Sequence, residues 1–256
     1  MTKHLFCIVS VLLLLSCNGG EKPQVKKSHN NRHEYVDLGL SVCWATTNIG
    51  ADEPTDYGDY FAWGEIKPNK EYYHESTYKF CKKNGTMFGM PLYDYTKYVT
   101  EHNTRGFYDN KLELDAEDDA ASVLWKDDWR MPTEAELKEL RDGFNCNWIW
   151  IAEGNTEFKG VAGFKVVSRK KGYEGSFIFL PAAGLAELES KGENFLYYWS
   201  KSLSSLSEIY AEPYGLEVSG CMSNEYYISG EDLFDFPLKT VRTLGLPIRP
   251  VKPKKK

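Results

Sequence analysis

WRMPTEAELKELRDG, residues 129–143, is the stretch on which the reading of this chain turns. Thr133 and Glu136 stand three apart, the spacing at which each side chain reaches the other's backbone N–H and caps a helix start. Leu137 and Leu140 then share one side of the helix, and Gly143 offers a C-terminal stop. The spacing predicts a helix from Thr133 to about Asp142 with a single inward face. A second helix is expected just upstream, over Asp115–Trp125. Its acids Asp115, Glu117, Asp118 and Asp119 meet the positive end of the helix dipole, and Ala121, Leu124 and Trp125 recur at helical spacing.

Outward from these helices, short β-prone runs alternate with glycines and polar turns. Strands are expected at Val36–Leu40, Cys43–Thr47, Phe164–Ser168, Phe177–Leu180, Leu196–Lys201, Glu208–Val218 and Leu246–Val251. Helices in the middle with strands on both sides predict an α+β domain.

The N-terminus reads differently. An apolar run, Leu5–Leu15, follows Lys3 and His4, and it is about half the ~20 residues that a spanning helix needs. It fits the apolar region of a secretory signal. The run ends in Leu14, Leu15, Ser16 and Cys17, which resembles the lipobox of bacterial lipoproteins, so residues 1–16 are expected to be removed and Cys17 lipidated. The membrane is then a partner through that lipid. Residues 17–33 carry almost no apolar side chains and read as a flexible tether. The globular domain is expected over 34–252, with a solvated basic tail at 253–256.

A net charge of −6 argues against nucleic acid as a partner. Of six cysteines, Cys7 falls in the signal and Cys17 in the lipobox. Cys43, Cys81, Cys146 and Cys221 remain as candidate disulfide residues, and spacing leaves all three pairings open.

Seven segments occur in order: EYVDLGLSVCWATTNIGA (34–51), DYGDYFAWGE (56–65), LDAEDDAASVLWKDDWRMPTEAELKEL (114–140), GFKVVSRK (163–170), IFLPAAG (178–184), YYWSKSL (197–203) and LGLPIRPVK (244–252). Together they resemble the Fibrobacter succinogenes major paralogous domain, found in secreted and lipid-anchored proteins of Gram-negative bacteria. The WRMPTEAELKEL segment is also similar to a motif of the formylglycine-generating (sulfatase-modifying) enzymes. The resemblance implies a C-type lectin-like fold with two helices, a small twisted antiparallel sheet and long loops. It also implies a cell-surface role in adhesion, on the outer membrane and facing either the periplasm or the exterior.

The chemistry is thin. The oxidising relatives use a pair of thiols near the C-terminus; here Cys221 stands alone, with Ser223 close by, so that oxidation is not expected. His29 and His33 lie in the tether and His74 and His102 in polar loops, none beside a nucleophile motif. No phosphate-binding loop occurs, so no nucleotide is expected. Paired carboxylates for glycoside hydrolysis have no specificity among 37 Asp and Glu residues. Calcium is the one cofactor with candidate ligands, Asp52, Asp56 and Asp59 beside Glu53, or the acids from Asp115 to Asp119. A solvated loop and a helix start account for the same residues without an ion.

Aromatic residues make up 14% of the chain, and flat rings stack on sugars and anchor interfaces. Trp63 and Trp199 lie in the shared motifs and read as core. Tyr72, Tyr73, Tyr78, Tyr93, Tyr95, Tyr226 and Tyr227 lie in unpatterned loops and are the candidate ligand contacts. The function expected is a non-catalytic binding module for a glycan or a surface protein. A structural or assembly component of the outer membrane and an unrecognised hydrolase are the alternatives.

Overall fold

The computed structural model describes residues 25–27, 33–68, 74–100, 108–184, 186, 195–203, 218–225 and 239–255. In chain order these carry β1 Val25–Lys27, β2 Glu34–Asp37, β3 Val42–Ala45, β4 Cys81–Met87, β5 Met90–Tyr95, α1 Ala120–Leu124 and α2 Glu134–Arg141. Then follow β6 Cys146–Ile151, β7 Gly163–Ser168, β8 Phe177–Pro181, β9 Phe195–Leu203, β10 Val218–Glu225, β11 Lys239–Val241 and β12 Val251–Pro253. The class is α+β, with two helices and four small antiparallel sheets among the described residues, ordered β1-β2-β3-β12, β11-β10-β9, β4-β5 and β6-β7-β8.

The deciding stretch folds as its spacing dictates. Thr133 Oγ1 accepts from the Glu136 backbone N–H at 3.2 Å, and the Glu136 carboxylate accepts from the Thr133 N–H at 2.8 Å. Arg130 then grips that carboxylate with both terminal nitrogens, at 2.7 and 2.5 Å, a bidentate pair that fixes the chain entering α2. Asp142, not Gly143, ends the helix. Leu137 and Leu140 are buried, as expected.

The upstream helix is shorter than its composition suggests. It starts at Ala120, capped by Asp119, which accepts from Ser122 N at 3.0 Å and also from Met131 N at 2.9 Å. The acids before it are therefore not a first turn. They lie in a separate turn held by lysines.

β9 divides the interior. Alternate side chains of a strand point to opposite faces, so Leu196 and Tyr198 enter one core while Trp199 and Leu203 enter another. The first core packs Val36, Val42, Trp44 and Val251 of the β1-β2-β3-β12 sheet against Leu137 and Leu140 of α2 and Phe164, Val166, Ile178 and Leu180 of the β6-β7-β8 sheet. The second gathers Ile49, Phe61, Trp63, Tyr78, Phe80, Tyr98, Leu114, Met131 and Ile248.

Arg249 joins the two. It is fully buried, and its guanidinium donates to Asn48 Oδ1 at 2.8 Å, Ala45 O at 3.0 Å, Thr46 O at 2.8 Å and Phe179 O at 3.0 Å. Its acceptors are neutral, so it acts as a multi-pronged donor that satisfies carbonyls of β3, β8 and the loop after β3, far apart in sequence. Asn48 extends the junction, donating to Tyr57 O at 2.8 Å and to the Tyr198 hydroxyl at 3.1 Å.

The ends of the expected domain are more structured than its composition implies. β1 lies within the segment read as a tether, and Val25–Lys27 pair with β2. Lys252, read as the last residue of the domain, is buried with its ammonium 5.2 Å from the Tyr35 ring and 5.1 Å from the Trp129 ring. The tail beyond it is not simply solvated: Pro253 ends β12, and Lys254 Nζ lies 2.9 Å from Asp37 Oδ1. His33 stacks on Trp125, with ring centroids 3.7 Å apart.

Of the expected strands, that at Leu246–Val251 is found only as β12 plus a single bridge from Leu246 to Phe61. That at Glu208–Val218 falls outside the described residues except for Val218, the first residue of β10.

Candidate functional site

Three apolar side chains stand out by exposure among the described residues: Phe144 at 90% in the turn after α2, and Phe88 and Met90 on a hairpin that the sequence reading took for loop. β4 and β5 pair from Cys81↔Tyr95 to Met87↔Met90, with a bulge between Lys83 and Gly85. Phe88 (φ 50°) and Gly89 (φ 81°) turn the chain in the left-handed region, as a two-residue hairpin turn requires. Gly89 adopts that backbone without cost, whereas Phe88 does so against the preference of a bulky side chain.

The base of the hairpin is fastened to the second core. The Tyr78 hydroxyl donates to Trp63 O at 2.6 Å, Cys81 N donates to Tyr78 O at 2.9 Å, and Thr96 N donates to Phe80 O at 2.8 Å. The buried Arg242 guanidinium lies 4.7 Å from the Tyr95 ring and 5.2 Å from that of Trp63, and it donates to the carbonyls of Lys97 and Tyr98. Burial pushes the Tyr78 and Tyr95 hydroxyls well above their ordinary range, so both stay neutral.

From that base the hairpin carries two different surfaces. Near the base, Lys83 faces Tyr93 across the strands and Lys82 faces Asp94, whose carboxylate takes the Asn84 amide. Tyr93 is half-exposed, and its ring meets His74 edge-on, with centroids 6.3 Å apart. Toward the tip, Met87, Met90 and Leu92 share one side by strand alternation. Phe88 is 92% exposed and Met90 64%.

The candidate tyrosines therefore separate. Tyr78 is core, which corrects its reading as a loop contact: its ring packs edge-on against Phe80 and its hydroxyl is spent on a backbone carbonyl. Tyr95 is half-buried under Arg242. Tyr93 alone of the described three presents its ring on the flank. Tyr72, Tyr73, Tyr226, Tyr227 and Cys17 lie outside the described residues.

A second cluster, beside the hairpin base, concerns metal. Among the described residues, Asp115, Glu117 and Asp118 bring carboxylate oxygens within 4.8 Å of one another. Lys97 Nζ lies 2.8, 3.1 and 2.5 Å from them, Lys79 adds a contact to Asp118 at 2.7 Å, and Lys111 one to Asp115 at 2.6 Å. The Tyr98 hydroxyl donates to Asp118 at 2.5 Å and accepts from Asp115 N at 2.9 Å. The side-chain hydrogen bonds from Lys111 and Lys97 hold the Asp115 carboxyl down at about 2. Burial works to raise Asp118, but the hydrogen bonds from Lys79, Lys97 and Tyr98 outweigh it and keep it below the ordinary range. An ammonium thus stands where a cation would, and it accounts for the convergence of the three acids.

Asp52, Asp56 and Asp59, the preferred metal candidates, do not converge in this way. Asp56 accepts from the backbone N–H groups of Glu53 at 2.9 Å and Asp52 at 3.2 Å, which closes a turn, and Asp59 packs over Gly50.

Among the described cysteine side chains, Cys43 and Cys146 are buried and Cys81 is half-buried. Burial pushes the thiols of Cys81 and Cys146 up to about 12, so both are protonated at neutral pH, and neither is in a disulfide. Cys43 is buried on β3, and Cys221 lies across from Trp199 on β10.

The sequence reading missed Phe88 and Met90. The available signal was Gly89 alone, which suits one of the two left-handed positions of a hairpin turn, whereas Phe88 at the other gives no turn cue. No family model matches the chain, and comparisons with curated proteins and with solved structures give no match. No described helix is long and apolar enough to cross a membrane.

Proposed function

We propose that this chain is an outer-membrane lipoprotein, anchored through Cys17, whose domain is a non-catalytic binding module of C-type lectin-like fold for a glycan or protein ligand. One observation carries the reading. The β4–β5 hairpin holds Tyr93, His74 and Lys83 together on an exposed flank whose base is locked to the core. A half-exposed ring beside a cation and an imidazole suits a sugar ring or a polar peptide surface, where stacking and hydrogen bonding act together. The lipobox-like run ending at Cys17 and the ordered series of motifs supply the anchor and the family resemblance. The carboxylate cluster at Lys97 and the protonated thiols belong to the fold in this reading, not to a reaction.

The test uses the chain without residues 1–16, none of which belongs to the described fold, carrying Cys17→Ser. It is applied to mixed arrays of glycans and extracellular proteins, in calcium and then in chelator. Reproducible binding lost in Tyr93→Ala supports the reading. Binding that survives Tyr93→Ala moves the ligand to another surface. Silence throughout favours a structural or assembly component of the envelope, and cross-linking in cells then identifies its neighbours.

A further inference from the structure

The hairpin tip lies outside both hydrophobic cores. Phe88 and Met90 face outward at 92% and 64% exposure, so they add little to either core. Turn chemistry does not explain Phe88 either. Its φ of 50° is a position where Asn, Asp or Gly is favoured and a bulky side chain is strained. A large apolar group kept in an unfavourable backbone conformation, at the outermost point of a hairpin, is placed for contact with something outside the domain.

We propose that the tip inserts into the interface of a lipid bilayer with anionic headgroups. The dimensions fit. Strands rise about 3.3 Å per residue, so the apolar set of Met87, Phe88, Met90 and Leu92 occupies roughly the outer 10 Å of the hairpin. Interfacial elements bury their apolar faces about 5–10 Å deep. Lys83 and Lys82 then stand roughly 13 and 16 Å behind the tip, at the height of the headgroup phosphates. Both lysines are exposed; no acid stands between Lys83 and the tip on either strand, and Asp94, level with Lys82 across the hairpin, accepts from Asn84.

The charge of the whole chain, −6, opposes approach to an anionic surface. Screening decides which charges count, because the Debye length is about 8 Å at physiological salt. The lysines at the contact act at full strength, and acids on the far side of the domain do not. An apolar cleft of a partner protein would accept Phe88 and Met90 as well, but it has no need of two lysines set back at headgroup height.

This inference deepens the reading of the hairpin as the contact element and adds a bilayer to its ligand. The experiment is flotation of the same Cys17→Ser chain with vesicles of neutral phospholipid alone or with about one-third anionic phospholipid, at low and high salt. The proposal expects flotation with the anionic vesicles that weakens as salt rises. Phe88→Asp with Met90→Asp is expected to lower the partition coefficient on the order of tenfold or more, from loss of two inserted side chains. Lys82→Glu with Lys83→Glu is expected to abolish the preference for anionic vesicles. An unchanged melting temperature confirms that each variant is folded. Absence of wild-type flotation, or equal flotation of wild type and tip variant, overturns the proposal. Equal binding of neutral and anionic vesicles overturns its electrostatic half. The arrays contain no bilayer, so ligand binding to Tyr93 stands or fails separately.

Discussion

Arg249 and Phe88 occupy opposite extremes of the same molecule. Arg249 is a charged side chain with essentially no exposure, and Phe88 is an apolar one with almost nothing else. Each reverses the usual preference of its type. Around Arg249, donors and acceptors are matched over the gap between two cores, the guanidinium serving the carbonyls of Ala45, Thr46 and Phe179 and the Asn48 amide oxygen. Around Phe88 the backbone itself is unfavourable, and the side chain is left almost wholly exposed among the described residues. A reversal that is compensated inside the molecule is structural. One that is not compensated points outward.

The largest expected effect tests the first half of that contrast. Arg249→Met keeps much of the volume but leaves the carbonyls of Ala45, Thr46 and Phe179 and the Asn48 amide oxygen without donors. At about 1–3 kcal/mol for a buried polar group left unpaired, the variant is expected to lose roughly 3 kcal/mol or more, read as a lower urea midpoint. A loss under about 1 kcal/mol would mean that water or rearranged loops satisfy those groups, and the distinction from Phe88 would weaken.

Tyr98→Phe comes next. Its hydroxyl both donates to Asp118 and accepts from Asp115 N, so removal leaves one backbone N–H without its acceptor and takes one donor from a carboxylate. A loss of about 1–3 kcal/mol in thermal unfolding is expected, with the hairpin's exposure to protease rising in parallel. Intact hairpin resistance would show that the base is held by Tyr78 and Arg242 alone.

These two sites differ in how legible they were. The capping box at Thr133 and Glu136 could be read because both partners lie within one turn. The strand expected at Leu196–Lys201 lies within β9, though nothing in its sequence announced that it faces two cores. Arg249 could not be read as a junction, because its acceptors are separated from it by as many as 204 residues. The β4–β5 hairpin was lost for another reason. An exposed pair buries no regular stripe, its bulge shifts the register at Asn84, and Asn84-Gly85 reads as a turn while lying inside a strand. Likewise the acids from Asp115 to Asp118 have the composition of a helix start, and only the lysines brought to them by the fold, Lys79 and Lys97, reveal what they do.

That cluster supplies a smaller effect with a definite sign. Asp115 has its folded pKa held at about 2 and Asp118 is also lowered, so the unfolded chain binds more protons as pH falls from about 4. The stability they contribute is present above the ordinary carboxylate range and is lost on acidification toward 2. Asp119 runs the other way: burial raises it, so its contribution is present at low pH and lost as pH rises through its folded value. Lys97→Met is expected to flatten the melting-temperature profile between about pH 4 and 2 and leave the Asp119 phase intact. A profile unchanged by that substitution would show that Lys79 and Lys111 suffice.

The smallest effect has the opposite direction, which is its value. Phe88→Asn replaces a bulky residue at φ 50° with one that tolerates the left-handed region, and it removes no core contact. The domain is expected to gain up to about 1 kcal/mol, seen as slower hydrogen exchange in the β4–β5 strands. Flotation with anionic vesicles is expected to fall in the same variant. A side chain that serves the fold cannot be removed with a gain in stability and a loss of binding together. If Phe88→Asn instead destabilises the hairpin, Phe88 has a packing role within the domain, and its exposure ceases to argue for a partner.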